Sequence, residues 1–385
     1  MYDLILYDTS NFVDFPIGGQ LTSIRNFLKY IANKHCSFGK HLLLVGITTN
    51  KEDIDKISKV KIDDAEFDFL PVLYRDSDLS YVKKSLRLEY LKGLLRKRKL
   101  ILSDKKTVHY IHTPEAFIEV KLVHPFGKTV VFSHGSFFNM VKGFRFYQDN
   151  KFIHWGFNKF IAFLLRRANL IFTLDDVSTK QYLKYTKKVV RVENSIVLPN
   201  KISDRAVCHD PIQLLFVGRL SKVKQIDKII EATHLLNGKA VLTIVGSGEE
   251  YNTLQEIIQV DKLGDYVKLV GGVKPSRIAE FMENSDILIM NSIFEGKPMT
   301  ILEAMSFGVP VVTTPVGGIP EMTVRGENSE YTNGESLEIS DTIMKIASDY
   351  EKYRNSAIAH AAEYDYRTVN NLIFREISKL LMLDE

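Results

Sequence analysis

Residues 292–318 read SIFEGKPMTILEAMSFGVPVVTTPVGG, and the rest of the chain is arranged around them. The short apolar run at 285–290 has the length and composition of a buried strand. Glu295-Gly296-Lys297-Pro298 then breaks the pattern, and 299–307 resumes with helical spacing. Pro298 therefore stands where a helix begins. A helix starting at a strand end leaves its first amides unpaired, and the peptide dipole adds positive charge there, so Met299 and Thr300 can bind an anion. Glu295 precedes the turn and Glu303 follows within the helix, placing two carboxylates beside the crevice where open α/β sheets bind ligands. A lone pair of glutamates at this spacing means no more than a helix cap and a solvated side chain.

The context goes further. The stretch resembles the E-x7-E signature of the retaining family 4 glycosyltransferases. The continuation through Ala304-Met305, Gly308-Val309-Pro310-Val311-Val312 and Gly317-Gly318-Ile319-Pro320-Glu321 keeps to that family's pattern. The resemblance implies a GT-B fold, in which two Rossmann-like αβα domains face a central cleft. It also implies a nucleotide-sugar donor, its diphosphate on the Met299 and Thr300 amides, Glu303 on the ribose and Glu295 on the sugar.

At 385 residues and 45% hydrophobic content, the chain can bury two sizeable cores, because single cores seldom grow past ~250–300 residues. The expected division is an acceptor-binding domain at 1–200, a nucleotide-sugar-binding domain at 201–363, and a terminal helix at 364–385 crossing back to the first domain. The polar, proline-bearing stretch 201–211 reads as the linker. Cys36 and Cys208 lack disulfide or metal-ligand spacing, so reduced thiols in a cytoplasmic protein are expected. The N-terminus has no signal-peptide pattern, and no apolar run reaches the ~18–20 residues that span a bilayer.

A formal net charge of +4 hides an asymmetry, since residues 1–199 hold 32 Lys and Arg against 20 Asp and Glu, and 200–385 hold 19 against 27. The first half is expected to meet something anionic. Its most basic segment is 80–106, where Lys83, Lys84, Arg87, Arg96, Lys97, Arg98 and Lys99 interleave with leucines. An amphipathic basic helix of this kind can lie on an anionic membrane, peripherally on the inner face of the plasma membrane. Equally, it can be a solvated helix whose leucines pack on its own domain. The aromatics are not spaced for base stacking and no recognition motif accompanies the charge, so nucleic acid is not expected as a partner.

Elsewhere in the first half, Gly18-Gly19 lies in a loop before a helix, where missing Cβ atoms let backbone approach a ligand. The resemblance places this loop under the donor phosphates. His134 stands at a strand end followed by glycine, a position where family 4 enzymes often contact the donor sugar; His109 and His112 on the preceding strand read as structural. The aromatic, cationic segment 137–167 reads as an irregular loop followed by a core helix, the loop being suited to line a path for a lipid or glycan acceptor.

In the second half, Gly218-Arg219-Leu220 with Lys224 resembles the family's G-R-L…K-G element, whose arginine and lysine bind the donor diphosphate. The physics agrees, as both cations stabilise charge building on a departing nucleoside diphosphate. Gln225 replaces the usual glycine, from which a less tightly turned backbone is expected. Val273 matches the position whose backbone faces the base.

The sequence thus reads as a hexosyltransferase: retaining by resemblance, and metal-independent because no D-x-D motif appears where it would hold a metal and cations can do a metal's electrostatic work. It would move a hexose or N-acetylhexosamine from a nucleotide sugar, UDP favoured by family frequency. The acceptor would be a glycan or a polyprenyl-diphosphate-linked glycan of the cell surface. No cofactor or metal is expected. A GT-B sugar-nucleotide 2-epimerase and a non-catalytic, membrane-associated partner subunit are the alternatives. The first would carry different second-domain motifs, and the second would be expected to lose Glu295 or Lys224.

Overall fold

The computed structural model describes residues 1–15, 18–34, 41–54, 56–76, 85–134 and 151–382. They form two compact units, the first made of Met1–Ser195 with Tyr366–Glu385 and the second of Ile196–Asp365.

The first unit is built on an eight-stranded sheet among the described residues. Its strands are β1 (Leu4–Tyr7), β2 (Leu42–Thr48), β3 (Ser58–Ile62), β4 (Ala65–Tyr74), β5 (Val108–Ile111), β6 (Lys128–Ser133), β7 (Leu170–Thr173) and β8 (Val189–Arg191), in the order β3-β4-β2-β1-β5-β6-β7-β8. All neighbours are parallel except the β3–β4 hairpin. Parallel strands covered on both faces read as continuous apolar runs, and the side-chain period of two divides each run between two cores. Ile5 and Tyr7 join Leu43 and Val45 on one face, while Leu4 and Leu6 join Leu42 and Leu44 on the other.

The first of those faces is covered by α2 (Leu86–Lys97), α3 (Pro114–Val123) and α4 (Lys151–Leu165), and the second by α1 (Gly19–Asn33) and α12 (Tyr366–Met382). Local chemistry starts several of these helices. Thr113 caps α3 through the Ala116 amide, with Pro114 at the first position, and Asp175 caps α5 (Asp176–Leu183) through the Ser178 amide at 2.6 Å. On α12, Val369, Ile373 and Ile377 pack with Ile24 and Phe27 of α1.

Helix α2 carries much of the basic segment. Tyr90 and Leu94 enter the core, and a Cβ on Gly93 would overlap the Val72 carbonyl oxygen, so the helix lies tightly on β4. Arg87 pairs with buried Glu115 at 3.6 Å, and Arg96, Arg98 and Lys99 are exposed. Lys83 and Lys84 lie outside the described residues, as do Cys36 and the loop before Phe152 expected to line an acceptor path.

The second unit has a six-stranded, all-parallel sheet among the described residues: β9 (Ile212–Val217), β10 (Ala240–Val245), β11 (Val267–Gly271), β12 (Ile287–Met290), β13 (Val311–Thr313) and β14 (Ser329–Tyr331), ordered β11-β10-β9-β12-β13-β14. One face packs against α6 (Ile226–Leu235), α7 (Tyr251–Val260) and α10 (Ser336–Ser348). The other packs against α8 (Ile278–Glu283), α9 (Met299–Ser306) and α11 (Tyr350–Ala362). The stretch expected as a linker is partly docked on this unit: buried Asp286 accepts from Arg205 at 3.1 Å, and from the His209 and Gln213 amides at 3.1 and 2.7 Å. Among the described residues no helix is long and apolar enough to cross a membrane.

In each sheet the chain winds one way from its first strand and then crosses to that strand's other side. The reversal falls between β1 and β5 in the first unit and between β9 and β12 in the second. Loops leaving the strand ends at such a point diverge and leave a crevice for a ligand.

Candidate functional site

The second unit's crevice opens where β9 and β12 end. After β9 the chain runs through Gly218-Arg219-Leu220 into a 3-10 turn at Lys222–Lys224, then through Gln225 into α6. Gln225 sits at φ 45° and ψ 48°, the left-handed region that glycine enters without strain. The expectation of a looser turn is therefore wrong: the turn is as tight as a glycine would make it, and glutamine bears the steric cost.

Neighbouring loops brace this one. A Cβ on Gly246 would overlap the Gly218 carbonyl oxygen, and one on Gly248 the Leu220 carbonyl oxygen; the Leu220 amide meanwhile donates to Ser247 at 3.0 Å. The Ile293 amide donates to the Val223 carbonyl at 2.8 Å, tying the loop after β9 to the loop after β12.

That tie brings together two side chains from distant parts of the sequence. Lys224 Nζ donates directly to Glu295 Oε1, and Ser292 Oγ donates to the same oxygen at 2.7 Å. Little of either ion-pair side chain is exposed. Behind Glu295, Gly317 at φ 57° lies so close that a Cβ would overlap the Glu295 carbonyl oxygen, and the Gly318 amide donates to the Gly296 carbonyl at 2.8 Å. Lys297, almost wholly buried, pairs with Glu321 at 3.1 Å and pins the far side of the loop.

Helix α9 begins at Met299 with Pro298 as its N-cap; no side chain caps it and its first turn holds no acid. Its first amides are therefore left for an anion. Glu303, one turn on, is a half-buried carboxyl that desolvation pushes up to about 7. Arg219 extends to Glu249 on the loop after β10, at 3.1 Å between an exposed pair, so its guanidinium is held by a carboxylate of its own. Val273 is half-buried after β11 and packs on the same core as Met299 and Met305.

The first unit's crevice has its own polar lining. Gly18 is the N-cap of α1, and a Cβ there would meet open space, so packing places no demand for glycine at that position. His134, just past β6, shares a hydrogen bond with His112 at the end of β5, Nε2 to Nδ1 at 2.8 Å, and both rings stack with Phe132. Burial lowers the His134 pKa to about 3 and takes His112 well below the ordinary histidine range, so both rings are neutral at pH 7. His112, read from sequence as structural, is thus the partner that orients His134. His109 does fit a structural part, buried and bonded to the Tyr7 hydroxyl at 2.9 Å.

Sequence reasoning missed Ser292, Lys297 and His112. Only Ser292 left a local trace, lying three residues before Glu295 in a strand-end loop. The other two act through partners that the fold supplies.

Residues 200–363, nearly all of the second unit, match the family described as Glycosyl transferases group 1. Within this matched stretch, the glycine-braced loops, the Lys224–Glu295 pair and the uncapped α9 start occupy one crevice. N-acetyl-alpha-D-glucosaminyl L-malate synthase of Bacillus anthracis is 30% identical over 145 residues, covering 37% of this chain and 38% of that protein. Amylovoran biosynthesis glycosyltransferase AmsK of Erwinia amylovora is 26% identical over 187 residues, covering 46% of each. The chain thus spans less than half the length of either curated relative. Among solved structures, Anabaena HepE in complex with UDP-glucose superposes with a TM-score of 0.68 at 18% identity, covering 98% of this chain and 99% of that one. The fold is GT-B, with two Rossmann-like α/β units.

Proposed function

We propose that the protein is a retaining family 4 glycosyltransferase that moves a hexose or N-acetylhexosamine from a UDP-sugar to a glycan or polyprenyl-diphosphate-linked acceptor. Cell-surface polysaccharide synthesis at the cytoplasmic face of the membrane is the setting proposed for it. The observation that carries this reading is the Lys224–Glu295 pair, clamped by Ser292 beside the uncapped start of α9.

Within the pair each member neutralises the other. An arriving diphosphate draws the Lys224 ammonium to itself and gains the Met299 and Thr300 amides, with Arg219 exchanging Glu249 for a phosphate oxygen. Glu295, released from Lys224, then accepts hydroxyl hydrogens from the hexose, and Glu303 accepts those of the ribose. The Val273 backbone meets the base.

In the reaction the bond from the anomeric carbon to the β-phosphate oxygen breaks. The acceptor oxygen forms its new bond on the same face, and the leaving phosphate takes the acceptor's proton. The charge growing on the nucleoside diphosphate is stabilised by Arg219, Lys224 and the α9 amides, so no metal or cofactor is required.

The test is a panel of nucleotide sugars scored for thermal stabilisation and for hydrolysis or transfer, with the product's anomeric configuration read by NMR and activity repeated in chelator. A donor that stabilises and is transferred with retention, chelator or not, supports the proposal. Inversion of configuration, epimerisation of donor incubated alone, or no response to any donor overturns it.

A further inference from the structure

Helix α4 divides sharply between two faces. Ile161, Leu164 and Leu165 are buried in the first unit's core. The opposite face presents Trp155, Lys159, Phe160, Phe163, Arg166 and Arg167, all exposed and recurring at three- and four-residue intervals. Trp155 is 65% exposed and Phe163 50%. Residues 151–167 contain four lysines and arginines and no acid. Lys159 Nζ stands 5.9 Å from the Trp155 ring centre and the Arg167 guanidinium 3.7 Å from that of Phe163, so cations and aromatics are interleaved on one surface. Arg167 also helps desolvation to lower the pKa of Lys121 on α3, to about 8. It therefore lies near the end of α3, where Leu122 and Phe126 are exposed as well.

We infer that this face of α4 docks on an anionic lipid bilayer. Aromatic rings with an apolar body and a polar rim favour the lipid–water interface, and cations beside them meet the headgroups. The chemistry selects this occupant over a second copy of the chain, because a self-complementary contact would set the same cations against one another without a compensating acid. Helix α2, basic as it is, directs Tyr90 and Leu94 into its own core. It exposes Leu88 beside its cations but no aromatic ring, and so lacks the interfacial rings that α4 provides. The inference is independent of the chemistry proposed for the second unit.

Trp155 is the chain's single tryptophan, so the full-length protein carries its own probe. Mixing with vesicles of equal parts phosphatidylcholine and phosphatidylglycerol is expected to shift its emission to the blue. Brominated lipid should quench it, and the protein should float with these vesicles but not with pure phosphatidylcholine. Lys159→Glu with Arg166→Glu, both at exposed positions, should weaken flotation by ~10-fold or more with an unchanged circular dichroism spectrum. Phe163→Ser should weaken it independently of charge. Equal flotation on both vesicle types, emission unmoved by anionic vesicles, or emission that shifts only with protein concentration as a dimer forms would each overturn the inference. So would loss of flotation in Arg96→Glu with Lys99→Glu while the α4 variants still float.

Discussion

Lys224 and Glu295, 71 residues apart in sequence, form a direct ion pair, and the same Glu295 oxygen accepts from Ser292 at 2.7 Å. A pair of this kind holds a cation and a carboxylate against each other, and in the proposed function the two part when a donor binds. The pairing makes the two residues a unit rather than two independent contributors.

Lys224→Ala and Glu295→Ala are each expected to lower turnover by at least ~100-fold, the scale of losing one preorganised stabiliser. The double variant should fall well short of the product of the two losses, because members of one unit are not additive. Steady-state kinetics on the four-member cycle measures this, and strict additivity would break the link between the pair and catalysis.

Gly317→Ala puts a Cβ onto the Glu295 carbonyl oxygen at a φ of 57°, which only a shift of the 295–296 backbone can relieve. A loss of roughly 1–3 kcal/mol in unfolding free energy is expected, together with weaker donor binding. Gly264→Ala, where a Cβ meets nothing within 4 Å, should stay within about 0.5 kcal/mol of the parent in the same urea titration.

Glu303 titrates near 7 in the folded protein against 4.5 ordinarily, because its burial disfavours the charge. The folded state holds this proton more tightly than the unfolded chain does. The group's contribution to stability is therefore full below 4.5 and is lost as pH climbs through about 7. Glu303→Gln should accordingly raise Tm at pH 8 and leave it unchanged near pH 4. If Glu303 accepts the ribose hydroxyls as proposed, donor affinity should run the opposite way: calorimetry with UDP should show weaker binding at pH 6 than at pH 8, and no such difference in the Gln variant.

Gln225→Gly removes a side chain from a left-handed position at φ 45°. Relief of that strain outweighs the added freedom of the unfolded chain, so a gain of up to about 1 kcal/mol is expected with activity retained. Denaturant unfolding decides it; a clear loss would mean the glutamine side chain supports the site through its own contacts.

What could be read in advance shares one property: it is local. The strand, loop and helix around 292–318 follow one another in the chain, so hydrophobic period, Pro298 and the paired glycines were enough to outline them. Nothing local showed that Gly317 and Gly318 approach the backbone of Glu295 and Gly296. The β3–β4 hairpin escaped because its first strand alternates between exposed and half-buried residues at the sheet edge, a weak pattern beside the apolar run that follows. The tight turn at Gln225 escaped for a different reason, since residue type suggests backbone conformation but packing of the flanking elements imposes it.

By itself the sequence determined that two α/β units would form and which strand-end loops bear charge, because alternation, helix starts and turns depend on neighbours a few residues away. Tertiary structure alone decided that β9 and β12 lie side by side, and so that Lys224 meets Glu295, just as it decided that β5 and β6 set His112 against His134. Strand order depends on which apolar faces bury together across the whole domain, and no short window of residues contains that information.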